Sequence, residues 1–88
     1  MSYTYVLISK NGQKTYTGCT ANLLHRLKEH NEGKVKSSLP YAPYEILHFE
    51  EFITLREARK QELYLKSTSG RRKIKELICE RSVNRSLL

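Results

Sequence analysis

The stretch YTYVLISKNGQKTYTG, Tyr3 to Gly18, sets two β-rich runs, residues 3–9 and 14–18, around Asn11-Gly12. Asn-Gly is the strongest short-range hairpin signal, because a type I′ turn needs positive φ at both central residues. With those two residues as the loop, Lys10 pairs with Gln13, Leu7 with Tyr16 and Tyr5 with Gly18. Alternation then places Tyr5, Leu7 and Tyr16 on one face. Tyr5 and Tyr16 become diagonal neighbours, roughly 7–8 Å apart at the backbone and within aromatic reach. Gly18, opposite Tyr5, has no side chain to crowd the phenol. The hairpin gathers two hydroxyls beside an open spot, an arrangement that core packing tolerates without requiring. Tyr3 reads as packing.

The rest of the composition bounds the answer. A chain of 88 residues builds one domain with one modest core. A formal charge of +7 and a pI near 9.6 point to a polyanionic partner, of which nucleic acid is the commonest, or to a merely basic surface. Cys19 and Cys79 form no CxxC pair and no disulfide framework, which suits a reduced, cytoplasmic chain. No apolar run approaches the roughly 18 residues of a membrane span, and no signal peptide is visible.

After the hairpin the pattern predicts a helix with Thr20 as N-cap, an apolar stripe of Leu23, Leu24 and Leu27, and Gly33 at C′. Arg26 and His30 are an i,i+4 pair along the edge of that stripe. Arg26 has Glu29 as an ordinary partner, and His30 can close the helix through its dipole. Residues 34–43 read as a loop, and Tyr44 to Phe52 as a third strand ending near Glu50. Thr54 with Glu57 is a capping box that opens a second helix running to about Lys66. Its core-facing stripe, Leu55, Ala58 and Leu65, contains Glu62. A carboxylate there is costly unless paired, hydrogen-bonded or bound to metal. The alternative is a Glu at the rim of the stripe with its head on Arg59 or Lys66. Ser67 to Gly70 is a break, and Ile74, Leu77 and Ile78 support a short third helix. Lys66, Arg71, Arg72, Lys73 and Lys75 crowd its start, where a bound phosphate would relieve the cost of like charge against the helix dipole. A solvated basic face is the competing reading. The domain is expected to span residues 1–81, with 82–88 as a tail.

Taken in order and spacing, these residues resemble the GIY-YIG nuclease family over nearly the whole chain. Tyr3-Thr4-Tyr5 stands at the GIY element and Tyr16-Thr17-Gly18 at YIG. Arg26 lies ten beyond Tyr16, His30 four further, and Glu62 falls on the helix that contains EARKQELYLKS. Short bacterial single-domain members related to the nuclease part of the excinuclease C subunit are the most similar kind. The chain departs from the pattern in lacking the first glycine, where it has Tyr3, and in carrying Thr4 and Thr17 at the isoleucine positions. Asn84 has no spacing that matches the family's C-terminal asparagine.

The resemblance implies an α/β fold, a small three-stranded antiparallel sheet flanked by about three helices. It also implies a metal-dependent endonuclease acting on nucleic acid, DNA first, in repair or structure-directed nicking. Glu62 would hold one Mg²⁺ or Mn²⁺, hard ions that take oxygen ligands. Arg26 would neutralise charge on the phosphate. Tyr5 would act as the base, supported by Tyr16 and His30, and nearby positive charge would have to lower its phenol from a pKa of about 10. Lys66, Arg71, Arg72, Lys73 and Lys75 would bind the nucleic-acid backbone, and a targeting protein or a homodimer would be compatible partners. The alternative function is a nucleic-acid-binding module that keeps the fold without cleaving. A third, a protein-interaction domain, would leave the basic face merely solubilising.

Overall fold

In the computed structural model, Tyr5 pairs with Gly18 and Leu7 with Tyr16 across antiparallel strands β1 (Ser2–Ser9) and β2 (Thr15–Thr20), the Cα register expected from the sequence, although the Lys10 N–H donates to Pro43 O at 3.1 Å and not across the hairpin. The structure describes residues 1–87 except Asn11, Gln13 and Ser37, with side chains as far as residue 80. The type I′ reading of Asn11 and the Lys10–Gln13 pair therefore lie outside the described residues. Around them, Gly12 has φ of +77° and donates its N–H to Ser9 O at 2.8 Å, and Ser9 N–H donates to Lys14 O at 2.8 Å.

Strand β3 (Tyr44–Phe52) adds antiparallel to the other edge of β1, giving the order β2-β1-β3. It runs past the expected end at Glu50, because the ladder continues until Phe52 meets Ser2. One irregularity shapes the site face. Val6 lies opposite His48 but Leu7 opposite Ile46, so Leu47 is an extra residue in the ladder. The bulge resets the alternation of β3, and Ile46 and Phe49 reach the same face although they are three apart.

Helices cover both faces. Helix α1 (Leu23–Asn31) packs on the face that carries Tyr5 and Leu7, closing a cluster with Leu23 and Tyr44. Helices α2 (Leu55–Leu65) and α3 (Thr68–Leu87) cover the opposite face, where Val6, Leu65 and Ile74 form a second cluster. The expected single core is thus divided by the central strand.

Several local expectations change. Asn22, not Thr20, caps α1, its side chain accepting the His25 N–H at 3.1 Å. Thr20 is still held in the sheet opposite Tyr3, and its hydroxyl oxygen accepts the Asn22 N–H at 3.1 Å. Leu24 is 73% exposed, and the residue that replaces it in the buried face of α1 is His30. The helix ends as expected at Gly33, whose φ of +79° lets Lys34 N–H return to Glu29 O at 3.0 Å. On α2, Thr54 caps as read, but Leu55 is exposed. Helix α3 starts inside the expected break, because Ser67 supplies the cap: its hydroxyl accepts Gly70 N–H at 3.3 Å and its carbonyl accepts Arg71 N–H at 2.9 Å. The helix is long rather than short, running to Leu87 through residues expected to form a tail.

Candidate active site

Tyr5 is the centre of the site. Its side chain is 2% exposed, and its hydroxyl is 3.2 Å from His30 Nε2 and 3.4 Å from Arg26 Nε. Three things bring these atoms together. The hairpin register sets Tyr5 opposite Gly18, and a Cβ added at residue 18 would lie 2.5 Å from the Tyr5 oxygen. The glycine is therefore a notch into which the phenol fits. The i,i+4 spacing of Arg26 and His30 then lets two successive turns of α1 reach one oxygen. Tyr16 completes the face, its ring 4.5 Å from His30 and stacked at 6.5 Å from Tyr5.

The ordinary partners named from the sequence are only partly met. Arg26 does approach Glu29, at 3.6 Å, while also donating to Tyr5. His30 does not cap the helix end. It is completely buried, with Nδ1 2.7 Å from Ser38 Oγ. Tyr3 packs edge-on against Phe49 at 6.3 Å, as a packing residue should.

Electrostatics corrects one expectation. The Tyr5 phenol lies above its ordinary pKa, not below it. Burial is the main cause, and it outweighs the hydrogen bond and charge of Arg26, while Tyr16 and Glu62 push the same way as burial. Tyr5 therefore keeps its proton in the resting site. Burial, helped by the Arg26 charge and opposed by Glu29, also lowers the His30 pKa, so the imidazole is neutral at pH 7.

Glu62 approaches from the other side of the sheet. Thr4 donates to the Ala58 carbonyl, which ties α2 to the Thr4 face, and Cys19, paired with Thr4 in the ladder, lies on that face too. Lys66 Nζ donates to Glu62 Oε2 at 2.7 Å, and the Cys19 thiol, raised above its ordinary pKa chiefly by burial, is raised further by Glu62. With Leu55 exposed, Glu62 sits at the rim of a stripe formed by Ala58 and Leu65, its side chain 17% exposed. Burial alone would raise its carboxyl. The bonds from Lys66 and Cys19 and the charges of Lys66 and Arg59 hold it below the ordinary value, so it is ionised.

Whether this donor set suits a hard divalent ion follows from its chemistry. Among the described residues no three His, Cys, Asp or Glu side chains group as metal ligands. Mg²⁺, however, keeps several waters and takes one or two carboxylates together with substrate phosphate. A single ionised Glu62 fits that mode, provided Lys66 gives up its place.

Of the basic residues, Lys66 and Arg71 come together with Thr15, Tyr16 and Thr17 around a cavity of about 390 Å³ beside β2. Arg72, Lys73 and Lys75 do not line it. Two residues of the site escaped the sequence reading. Cys19 could have been found from its parity with Thr4 next to Gly18. Ser38 had no signal, being one small polar residue in a loop.

A sheet with Tyr5 and Tyr16 on one face, an Arg–His pair from the following helix and a glutamate on the next is the set of elements that the resemblance to the GIY-YIG family led us to expect. The sequence profile of the GIY-YIG catalytic domain matches residues 1–75, and the chain belongs to that family. Within it the chain is similar to the short UPF0213 proteins. It is 37% identical over 84 residues to UPF0213 protein CPE1444 of Clostridium perfringens, covering 94% of this chain and 88% of that one. It is 39% identical over 83 residues to UPF0213 protein YazA of Bacillus subtilis, covering 93% and 81%. The solution NMR structure of UPF0213 protein BH0048 from Bacillus halodurans superposes with a TM-score of 0.50 at 30% identity, covering 88% of this chain and 85% of that one.

Proposed function

We propose that this protein is an endonuclease that hydrolyses phosphodiester bonds in nucleic acid, DNA first. The observation that carries the reading is the single Tyr5 oxygen shared by Arg26 and His30, held against Gly18 in a chain of this family.

The residues supply the parts that hydrolysis needs. Tyr5 takes a proton from the attacking water while its own proton passes to the bare Nε2 of the neutral His30 ring. The phenol need not be pre-ionised, which agrees with its raised pKa. Arg26, one-third exposed, offers its terminal nitrogens to the non-bridging phosphate oxygens as negative charge builds there. Tyr16 borders both the centre and the cavity with Lys66 and Arg71, so one strand of backbone laid along β2 would touch each in turn. Glu62 would hold the divalent ion, which when bound supplies Lewis-acid stabilisation to the phosphate.

A second reading has its own observation. Lys66 already neutralises Glu62 at 2.7 Å, as in a module that binds nucleic acid and does not cut it. Purified protein incubated with duplex, branched and single-stranded DNA and with RNA, in Mg²⁺, Mn²⁺ or chelator, separates the two. Metal-dependent nicking that disappears in Tyr5→Phe supports the nuclease. Salt-sensitive binding with no cleavage under any metal supports the module and refutes the nuclease.

A further inference from the structure

The loop between α1 and β3 holds a residue that neither motif spacing nor the family match assigns. Ser38 is 1% exposed, and side-chain bonds hold it on both sides: His30 Nδ1 at 2.7 Å from its Oγ, the Val35 carbonyl at 3.2 Å from its Oγ, and the Tyr44 hydroxyl donating to its own carbonyl at 3.0 Å.

The protons in this chain of contacts can be assigned by counting. Arg26 Nε–H is only a donor, so the Tyr5 oxygen accepts from it. The Tyr5 proton then needs an acceptor of its own, because a buried hydroxyl without one is costly. Among the described residues that acceptor is His30 Nε2, at 3.2 Å. Nε2 must therefore be bare, and the proton of the neutral ring sits on Nδ1. Nδ1–H donates to Ser38 Oγ, and the Ser38 hydroxyl donates in turn to Val35 O. The reverse tautomer turns Nε2–H toward the Tyr5 oxygen and strands the Tyr5 proton with no acceptor.

We propose that Ser38 is a positioning residue that selects the Nδ1–H tautomer of His30 and so keeps Nε2 open to receive the Tyr5 proton. The proposal rests on the reading of Tyr5 and His30 as partners in hydrolysis, but its structural content does not depend on activity. Ser38 does not touch the reacting atoms. It acts through the far nitrogen of His30, in the way that outer partners of a working imidazole fix its tautomer.

Long-range ¹H–¹⁵N correlation of the His30 ring in the full chain at neutral pH tests the tautomer directly. The wild type and Ser38→Thr, which keeps the hydroxyl, should both show Nδ1–H, as should Tyr5→Phe, where Ser38 alone remains to choose. Ser38→Ala should move the ring toward Nε2–H. On a nucleic-acid strand with Mg²⁺, kcat of Ser38→Ala should fall about 10–100-fold at unchanged KM, the scale of losing an outer hydrogen-bond partner of a working histidine, and Ser38→Thr should restore it. A wild-type ring in the Nε2–H form would overturn the proposal without any variant, even if Ser38→Ala failed to fold. So would an unchanged Nδ1–H ring in Ser38→Ala, or a switch to Nε2–H in Tyr5→Phe. If the tautomers behave as expected and no protein cleaves, the nuclease reading fails while the role of Ser38 in setting the ring stands.

Discussion

Gly18→Ala tests the geometry of the site at its narrowest point. The added Cβ would lie 2.5 Å from the Tyr5 oxygen, 2.8 Å from Cζ and 3.2 Å from Cε1, whereas ordinary contact begins at 3.4 Å. The oxygen must retreat by 3.4 − 2.5, about 0.9 Å, and the buried Tyr5 ring has no solvent to retreat into. That displacement exceeds the slack in the 3.2 Å and 3.4 Å bonds to His30 and Arg26. Overpacking of this kind costs about 1–3 kcal/mol, and a broken hydrogen bond adds about 1 kcal/mol. For a domain of this size the melting temperature should drop on the order of 10 °C or more. Misplacing a reacting group by nearly an ångström should cost about 100-fold in kcat. The internal control is Tyr5→Phe, which removes the nearest atom and leaves Cζ at 2.8 Å. Gly18→Ala should then be less damaging when combined with Tyr5→Phe, with a coupling of about 1 kcal/mol in a double-mutant cycle of thermal melts. If Gly18→Ala shifts the melting temperature by less than about 2 °C both alone and beside Tyr5→Phe, the notch is refuted.

Glu62→Gln keeps shape and hydrogen bonding while removing the negative charge, so it should abolish metal-dependent cleavage and leave DNA binding intact. Wild-type cleavage by the folded variant would sink the metal role. Lys66→Met should strengthen Mn²⁺ binding in calorimetry by exposing the carboxylate that Lys66 now covers, and equal affinities would mean the two cations do not compete. The lowered pKa of His30 means that below about pH 6.5 the unfolded chain binds a proton that the fold does not. Stability should therefore fall as pH drops from about 6.5 toward the folded pKa and level off below it. His30→Gln should lack that part of the slope in urea melts, and identical slopes would contradict a neutral buried imidazole. Replacing Arg71 and Arg72 together by alanine should flatten the log–log salt dependence of DNA binding by up to about 0.9 per lost phosphate contact. Arg71 accounts for most of the change, since it alone of the two lines the cavity beside Tyr16. An unaltered slope would leave the cluster a solvated face.

What the sequence made legible followed from local rules. Centring the hairpin on Asn11-Gly12 leaves one Cα register, and Tyr5 opposite Gly18 and Tyr16 opposite Leu7 is the register found, although the bonds of Ser9 and Lys10 at the turn are not those of a two-residue loop. Thr54 and Gly33 bounded their helices because caps depend on a few neighbouring residues. The rest depended on contacts between distant segments. Nothing before β3 is placed says that β1 is central, or that a bulge at Leu47 turns Ile46 and Phe49 to one face. Helical periodicity groups Leu24 and Leu55 with the core, yet both are exposed. The opposite error befell His30, which polarity assigned to a helix end and burial assigns to the core. The phenol of Tyr5 moved against expectation for the same reason: desolvation by the surrounding fold outweighs the nearby Arg26. Spacing brought Tyr5, Tyr16, Arg26 and His30 onto one side, but only the packing of α2 reveals that Glu62 comes from the other.

The middle strand of a three-stranded sheet is the last part of such a fold to open, and Tyr5 is on it. Arg26 and Lys66 are anchored on helices whose outer turns can fray without disturbing β1. Amide exchange should therefore divide the site into two kinetic populations. The amide of Tyr5 should exchange only through global unfolding, and those at the ends of α1 and α2 through far more frequent local openings. The Tyr5 phenol would then keep its place for as long as the molecule is folded at all. Its helix-borne partners, which must adapt to an incoming polyanion, are left free to breathe on their own timescale.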